Sequence, residues 1–319
     1  MKRPALSLLA AMVLLITSAC GGGGGAKDAG ADGVTDVTVG VIPIVDTAPI
    51  WLGKKQGFFK DNGINLELKT TSGGAAAVPG VVSGSFDFAF GNVISLMVAQ
   101  DQGLPLKFVT NGTSTTGKVG KDFSGVVVPK GSPIKSPSDL EGKTVAVNNL
   151  KNIGDTTIRD VIAKDGGDAS NVKFVEVPFP DAPAALAKKQ VDAAWILEPF
   201  LSTAIAAGGT VVSWNYAETS PDLDIAGYFT TTKYISSNDD LVKRFQKAMK
   251  QSLEYAQDNP DAVRDIVGTY TEIDDATRAK MVLPKWKPEF NRPAAELLGV
   301  AATKYKTLSK EPDLDKLLP

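Results

Sequence analysis

The residues best suited to hold a small molecule lie in the stretch 68–92, LKTTSGGAAAVPGVVSGSFDFAFGN. One apolar run ends there in Thr-Thr-Ser-Gly-Gly, and a second ends in Gly91 and Asn92. Ser72, Gly73, Gly74 and Ala75 form a turn with almost no side chain, so backbone N–H groups can approach a ligand closely. A helix beginning just beyond them would aim its free N–H groups and the positive end of its dipole at one point, which favours an anion. Proline lacks an N–H and is tolerated in the first turn of a helix, so Pro79 predicts a helix start at Ala75 or Ala76. No lysine follows the glycines, which separates this loop from a phosphate-binding one. The bland alternative is a tight Gly-Gly turn with nothing bound. Asn92 reads as a helix N-cap, a role that uses its side-chain oxygen and leaves the amide NH2 to donate.

Other turns repeat the pattern. Thr47, Ala48 and Pro49 follow the first apolar run of the chain. The segment 148–159, NNLKNIGDTTIR, supplies amides from Asn148, Asn149 and Asn152, then Gly154, Asp155, Thr156 and Thr157 at a helix start. Asp155 is expected as the cap of that helix, where it competes with a bound anion for the same N–H groups. Arg159 either offsets that charge or faces solvent. In WILEPF (195–200), Trp195 stacks on a ligand or fills a core. Glu198 bonds a ligand amino group or makes a structural bond to a hinge. Trp51, one turn into its helix, reads as core.

Much chemistry is excluded. The 319-residue chain has no histidine, and its single cysteine is Cys20. No His-based triad, His zinc site or Cys–His nucleophile can be built, and no metal or other cofactor is expected. Carboxylate, lysine and tyrosine chemistry remain, so an enzyme using a carboxylate such as Glu198 stays open. A formal charge of −2 offers no basic excess to neutralise phosphates, which argues against nucleic acid as a partner.

Lys2 and Arg3, an apolar run over 5–16, and the small residues Thr17, Ser18 and Ala19 precede Cys20. This is a secretory signal over 1–20, and its TSAC end resembles a bacterial lipobox, with lipidation expected at Cys20. The glycine-rich segment 21–35 cannot bury a core and reads as a flexible tether. The chain is expected to be exported and held by its lipid at the cell membrane, facing the outside or the periplasm.

From residue 37 onward strands and helices alternate, the signature of an α/β layer architecture. Strands are expected at 37–42, 64–68, 86–90, 106–109, 125–128, 144–147, 172–177, 192–197 and 209–214, with a return strand over 225–235. Helices are expected between them and at 239–258, 261–268, 274–283 and 292–308. The late helices need a surface to cover, so they are expected to pack on the first unit. This gives a discontinuous lobe 36–124 plus 226–319, a second lobe 125–225, and two connections near 123–126 and 224–227.

The motifs APIWLGKKQGFFKDNGINLEL, VVSGSFDFAFGN, SDLEGKTVAV, KKQVDAAWILEPFLSTAIAAGG and YFTTTKYI occur in this order over most of the chain. In that order the chain resembles the substrate-binding proteins of ABC importers, and within them the nitrate/sulfonate/taurine group that includes binders of thiamine-pyrimidine precursors. The resemblance implies a type II periplasmic-binding-protein fold, two α/β lobes on two hinge strands, closing on a ligand between them. It implies a monomer that delivers a small anionic or zwitterionic solute to permease and ATPase subunits. Ligand contacts are expected from Thr47, Ser72, Gly73, Gly74, Ala75 and Asn92 on one lobe. Asn148, Asn149, Thr156, Trp195 and Glu198 are expected on the other. A surface sensor of the same fold is a further alternative, as is an enzyme.

Overall fold

The computed structural model describes Lys27, Gly30 and residues 33–319. The expected signal segment, Cys20 and most of the tether lie outside the described residues.

The strands are β1 (Thr35–Val41), β2 (Ile64–Thr70), β3 (Phe88–Asn92), β4 (Leu106–Ser114), β5 (Ser124–Val128), β6 (Thr144–Val147), β7 (Lys173–Glu176), β8 (Ala193–Leu197), β9 (Thr210–Ser213), β10 (Asp224–Thr231) and β11 (Lys285–Trp286). They form two sheets, ordered β11-β4-β10-β3-β1-β2 and β7-β6-β8-β5-β9. In the first, β1 runs parallel to β2 and β3, while β10 runs antiparallel to β3 and β4. In the second, β6 runs parallel to β7 and β8, while β5 is antiparallel to β8 and β9. The central strands β3, β5 and β8 are buried along their whole length, as strands covered on both faces must be, and this is why they read as unbroken apolar runs. The two-lobed α/β architecture expected from the sequence is the one observed.

The chain crosses between the sheets at 115–123 and again at 220–223, after helix Asn215–Thr219, which packs on the second sheet through Ser124, Thr157 and Trp195. The crossings lie side by side, with the Thr115 N–H donating to the Leu223 carbonyl at 2.9 Å. Buried Asp122 fixes the first one, accepting from the Thr115 hydroxyl at 2.5 Å and from the backbone of Thr116 and Phe123. The long helix Asp239–Asp258 buries Leu241, Val242, Phe245, Met249 and Leu253 on one stripe, and Phe245 stacks on Phe88 of β3 with ring centroids 4.1 Å apart. The C-terminal helices therefore cover the first sheet.

Four expectations are corrected. Pro79 lies inside helix Gly74–Ser83 and not in its first turn. The helix starts earlier because Gly74 fits where a side chain would meet the Gly91 backbone, and the missing Pro79 N–H leaves the Ala75 carbonyl without its helical donor. The strand expected over 225–235 stops at Thr231, whose hydroxyl accepts from Tyr234 N and starts helix Thr232–Ser237. The helix expected over 274–283 is only Asp275–Arg278, because the chain straightens beyond it to pair β11 with β4. Asp155 is the third residue of helix Ile153–Lys164, and Asn152 is its cap.

Candidate functional site

The carboxyl ends of β1, β3 and β6 meet between the sheets, where open α/β sheets receive ligands. Gly73 caps helix Gly74–Ser83 without a side-chain bond. A methyl group at Gly73 would stand 2.0 Å from Asn149 Oδ1 and 2.9 Å from Asn148 Nδ2, so the second lobe sits directly on this turn. Asn148 Nδ2 donates to the Ser72 carbonyl at 3.2 Å. Gly73 and Gly74 are buried, whereas Ser72 and Ala75 are exposed. Asn92 caps its helix as expected, Oδ1 accepting from Ser95 N at 2.9 Å. Ser95 in turn lies 3.2 Å from the Asn152 amide of the second lobe, and Thr156 lies 3.1 Å from Thr307. All these polar side chains are at most 9% exposed except Thr307, which is half-buried.

Gly74 and Gly73 differ in what crowds them. A methyl at Gly74 would meet the Gly91 Cα at 2.7 Å, a backbone atom. At Gly73 it would meet an amide that can swing aside. Gly74→Ala should therefore cost about 1–3 kcal/mol in a denaturant titration, with Gly73→Ala close to wild type. Equal losses would show that the two glycines do the same work.

Several expected contacts are occupied within the protein. The Thr47 hydroxyl donates to the carbonyls of Ile42 and Ile44. Trp195 Nε1 donates to Ser124 Oγ at 2.8 Å, and its ring packs between Phe179, Tyr216 and Gly154. The Asp155 carboxylate takes the N–H groups of Lys151 and Asn152, and the Asn152 side chain takes those of Ile153 and Asp155, so the second helix start is already capped from within. Arg159 donates to the Ala169 carbonyl and lies over the Phe174 ring, which directs it into its own lobe. Glu198, 2% exposed, accepts from Ser202 N at 3.0 Å, Ser202 Oγ at 2.9 Å and Val282 N at 3.2 Å. Its carbonyl accepts from Val45 N at 3.0 Å. Burial outweighs these donors and pushes its carboxyl up to about 7.

One group at the same junction stands differently. Asp46, in the single turn Val45–Thr47 after β1, is 2% exposed. Its carbonyl accepts from Trp286 Nε1 at 3.3 Å and Thr113 Oγ1 at 3.4 Å. Its Oδ2 has no partner among the described residues, and neither do Tyr228 OH, Trp51 Nε1 and Asn111 Oδ1. Burial pushes the Asp46 carboxyl up to about 8, against a hydrogen bond from its own backbone N–H and with a smaller push from the charge of Asp122. The hydroxyls of Tyr216, Tyr228 and Tyr270 are all raised by burial, and each is close enough to feel Asp46. Tyr270 stacks on Trp51 at 4.7 Å and donates to the Ile44 carbonyl.

The NMT1/THI5 like family matches residues 44–263 of this chain. The chain belongs to that family. Among solved structures, the alkanesulfonate-binding protein SsuA of Xanthomonas axonopodis pv. citri, bound to MOPS, superposes with a TM-score of 0.75 at 16% identity. The match covers 89% of this chain and 98% of that one. The nitrate-binding protein NrtA of Synechocystis PCC 6803 gives a TM-score of 0.75 at 14% identity, covering 89% and 86%. The desulfurization enzyme DszB also has this fold, with a TM-score of 0.64 at 16% identity over 88% and 95%.

For this NMT1/THI5-like chain, sequence reasoning missed Asp46 and the residues around it. Trp51, read as core, is half-buried and packs against the hydrophobic core and on Tyr270. Asp46 stood beside Thr47 in a turn already singled out, and an acidic residue at the end of β1 was the signal that could have found it. Tyr216, Tyr228, Tyr270 and Trp286 come from segments far apart in the chain, so no local pattern joins them. Among the described residues no helix is long and apolar enough to cross a membrane. No group of three or more potential metal-ligating acidic or cysteine side chains occurs among them.

Proposed function

We propose that this protein is the solute-binding component of an ABC importer, anchored by a lipid on Cys20, which captures a small anionic or zwitterionic solute between its lobes and hands it to a permease. The observation that carries this reading is the row of polar contacts between the lobes across the junction: the Ser72 carbonyl with Asn148, buried Ser95 with buried Asn152, and buried Thr156 with half-buried Thr307. A ligand bridging such a junction favours the closed arrangement through contacts made only there. The anionic end is assigned to the uncapped start of helix Gly74–Ser83, with Gly73 and Gly74 shaping the approach and Asn92 and Asn148 flanking it. The sulfonate and nitrate ligands in the names of SsuA and NrtA support an anionic group.

DszB keeps an enzyme on this fold in view. The carboxylate first considered for acid–base work is Glu198, and both its oxygens already accept protein donors. That favours binding over catalysis.

The test is to release the solute from freshly purified protein, identify it by mass spectrometry, and measure its uptake in cells with and without the gene. Uptake should be lost with the gene and restored by it. Unchanged uptake overturns the importer reading, and consumption of the solute by the pure protein would replace it with an enzyme. For the anchor, Cys20→Ser should abolish incorporation of labelled palmitate and move the protein from the membrane fraction to the soluble one. A variant still sedimenting with membranes would show that the lipid is not what holds it.

A further inference from the structure

Asp46 has no part in the reading above, yet its position demands a role. Taking a carboxylate out of water without a partner costs several kcal/mol. Protonation lessens that cost but leaves a hydroxyl that itself needs an acceptor. The Asp46 carbonyl is bonded to Trp286 and Thr113, but Oδ2 is matched by nothing among the described residues. Its own backbone N–H is the hydrogen bond the carboxylate receives, so Oδ2 is left open to a donor.

The surroundings specify that donor. The charge that Asp46 feels is another carboxylate, Asp122. Near Asp46 stand the phenols of Tyr216, Tyr228 and Tyr270, the last stacked on Trp51, and the Tyr228 hydroxyl is itself unpartnered. A buried carboxyl beside a second carboxylate, lined by phenols, is a setting in which a cation is held by ion pairing once the carboxyl gives up its proton. The place is also right. Asp46 follows β1 at its carboxyl end, Tyr216 comes from the second lobe, and the neighbouring Val45 N–H reaches across to the Glu198 carbonyl.

We propose that Asp46 is the counterion for a positively charged nitrogen of the bound solute, so that the ligand is an ammonium compound and, with an anion at the start of helix Gly74–Ser83, a zwitterion. This deepens the solute-binding reading and rests on it. Ammonium binding at a pH below 8 should then drive a proton off Asp46, whose carboxyl is otherwise held up to about 8. The titratable groups facing it are Asp122 and Tyr216, Tyr228 and Tyr270. Glu198 is held separately by Ser202 and Val282.

The experiment uses the mature protein and matched pairs that differ only in ammonium against hydroxyl: taurine and isethionate, β-alanine and 3-hydroxypropionate, benzylamine and benzyl alcohol. Affinities are measured by calorimetry for wild type and Asp46→Asn. At least one ammonium compound should bind more tightly than its partner by about thirty-fold or more, and Asp46→Asn should reduce that preference to near unity. A hydroxyl compound binding as well as its ammonium twin overturns the proposal. So does a preference that survives in Asp46→Asn, or failure of every ammonium compound to bind. Should Asp46→Asn not fold, wild type alone decides. Its apparent binding enthalpy must vary with the ionisation heat of the buffer below pH 8, reporting release of about one proton, and no such variation rejects the idea. Binding of isethionate or 3-hydroxypropionate without ammonium preference removes this inference and leaves the solute-binding reading standing.

Discussion

Glu198→Ala should lower the unfolding free energy by about 3–5 kcal/mol. The side chain is buried, and three donors point at it: Ser202 N, Ser202 Oγ and Val282 N. Alanine removes their acceptor and gives them no water, so each pays its desolvation without return. The loss also falls on the interface between lobes. Val282 belongs to the segment between helix Asp275–Arg278 and β11 of the first sheet, whereas Ser202 lies in helix Phe200–Ala206 of the second lobe. Glu198→Gln keeps the volume and one acceptor oxygen, but its NH2 faces at least one N–H. It should fall between wild type and alanine. Equilibrium denaturation measures both variants. A Glu198→Ala protein within about 1 kcal/mol of wild type, the scale of an ordinary exposed polar pair, would mean that these bonds hold nothing in place.

Features that depend on near neighbours were legible in the sequence. The alternation of strand and helix, the Asn92 cap and the stop of helix Ala48–Gln56 at left-handed Gly57 all follow from a few adjacent residues. The central strands were found because burial on both faces leaves an unbroken apolar run. Where a distant partner decides the outcome, the local reading failed. Pro79 was placed in a first turn because that is the cheapest position for it. The helix start is set instead by what Gly74 must fit against, the Gly91 backbone. Residues 279–284 carry apolar side chains at helical spacing, but pairing of β11 with Ser114 and Thr113 straightens them.

The site divides along the same line. Ser72, Gly73, Asn92 and Asn148 stand where strands give way to helices and Thr156 in the first turn of helix Ile153–Lys164, so topology alone nominates them, and the structure brings them to one junction. Trp195 and Glu198 each carried two readings. Their polar atoms are accounted for by Ser124, Ser202 and Val282, which fits the core and hinge readings. Asp46 carried none, because the burial of its Oδ2 without a partner is a property of the folded chain.

That lack should be visible as an unusual pH dependence. Asp46 is raised from 3.8 to about 8 and Glu198 from 4.5 to about 7, in both cases chiefly by burial. In the unfolded chain both ionise near their ordinary values, so above those values the folded form binds more protons than the unfolded one. Stability then falls as pH rises. Below about pH 4 neither group contributes. From 4.5 to 7 both weaken the fold, each by about 1.4 kcal/mol per pH unit, and from 7 to 8 only Asp46 continues to do so. Asp155, also raised by burial, adds to the decline. The surface carboxylates Asp165, Asp168, Asp274 and Asp313, and half-buried Asp101, are lowered by hydrogen bonds from neighbouring groups. Their contribution is present above the ordinary carboxylate range and lost in stronger acid, so they leave the window above it untouched. The melting temperature without added solute should peak in mild acid and drop steadily toward pH 8. Asp46→Asn should level the upper end of that slope, and Glu198→Gln should flatten only the part below 7. A melting temperature that is level or rising from pH 5 to 8 would show that neither carboxyl is held protonated in the folded chain. It would also remove the proton that ammonium binding is expected to release.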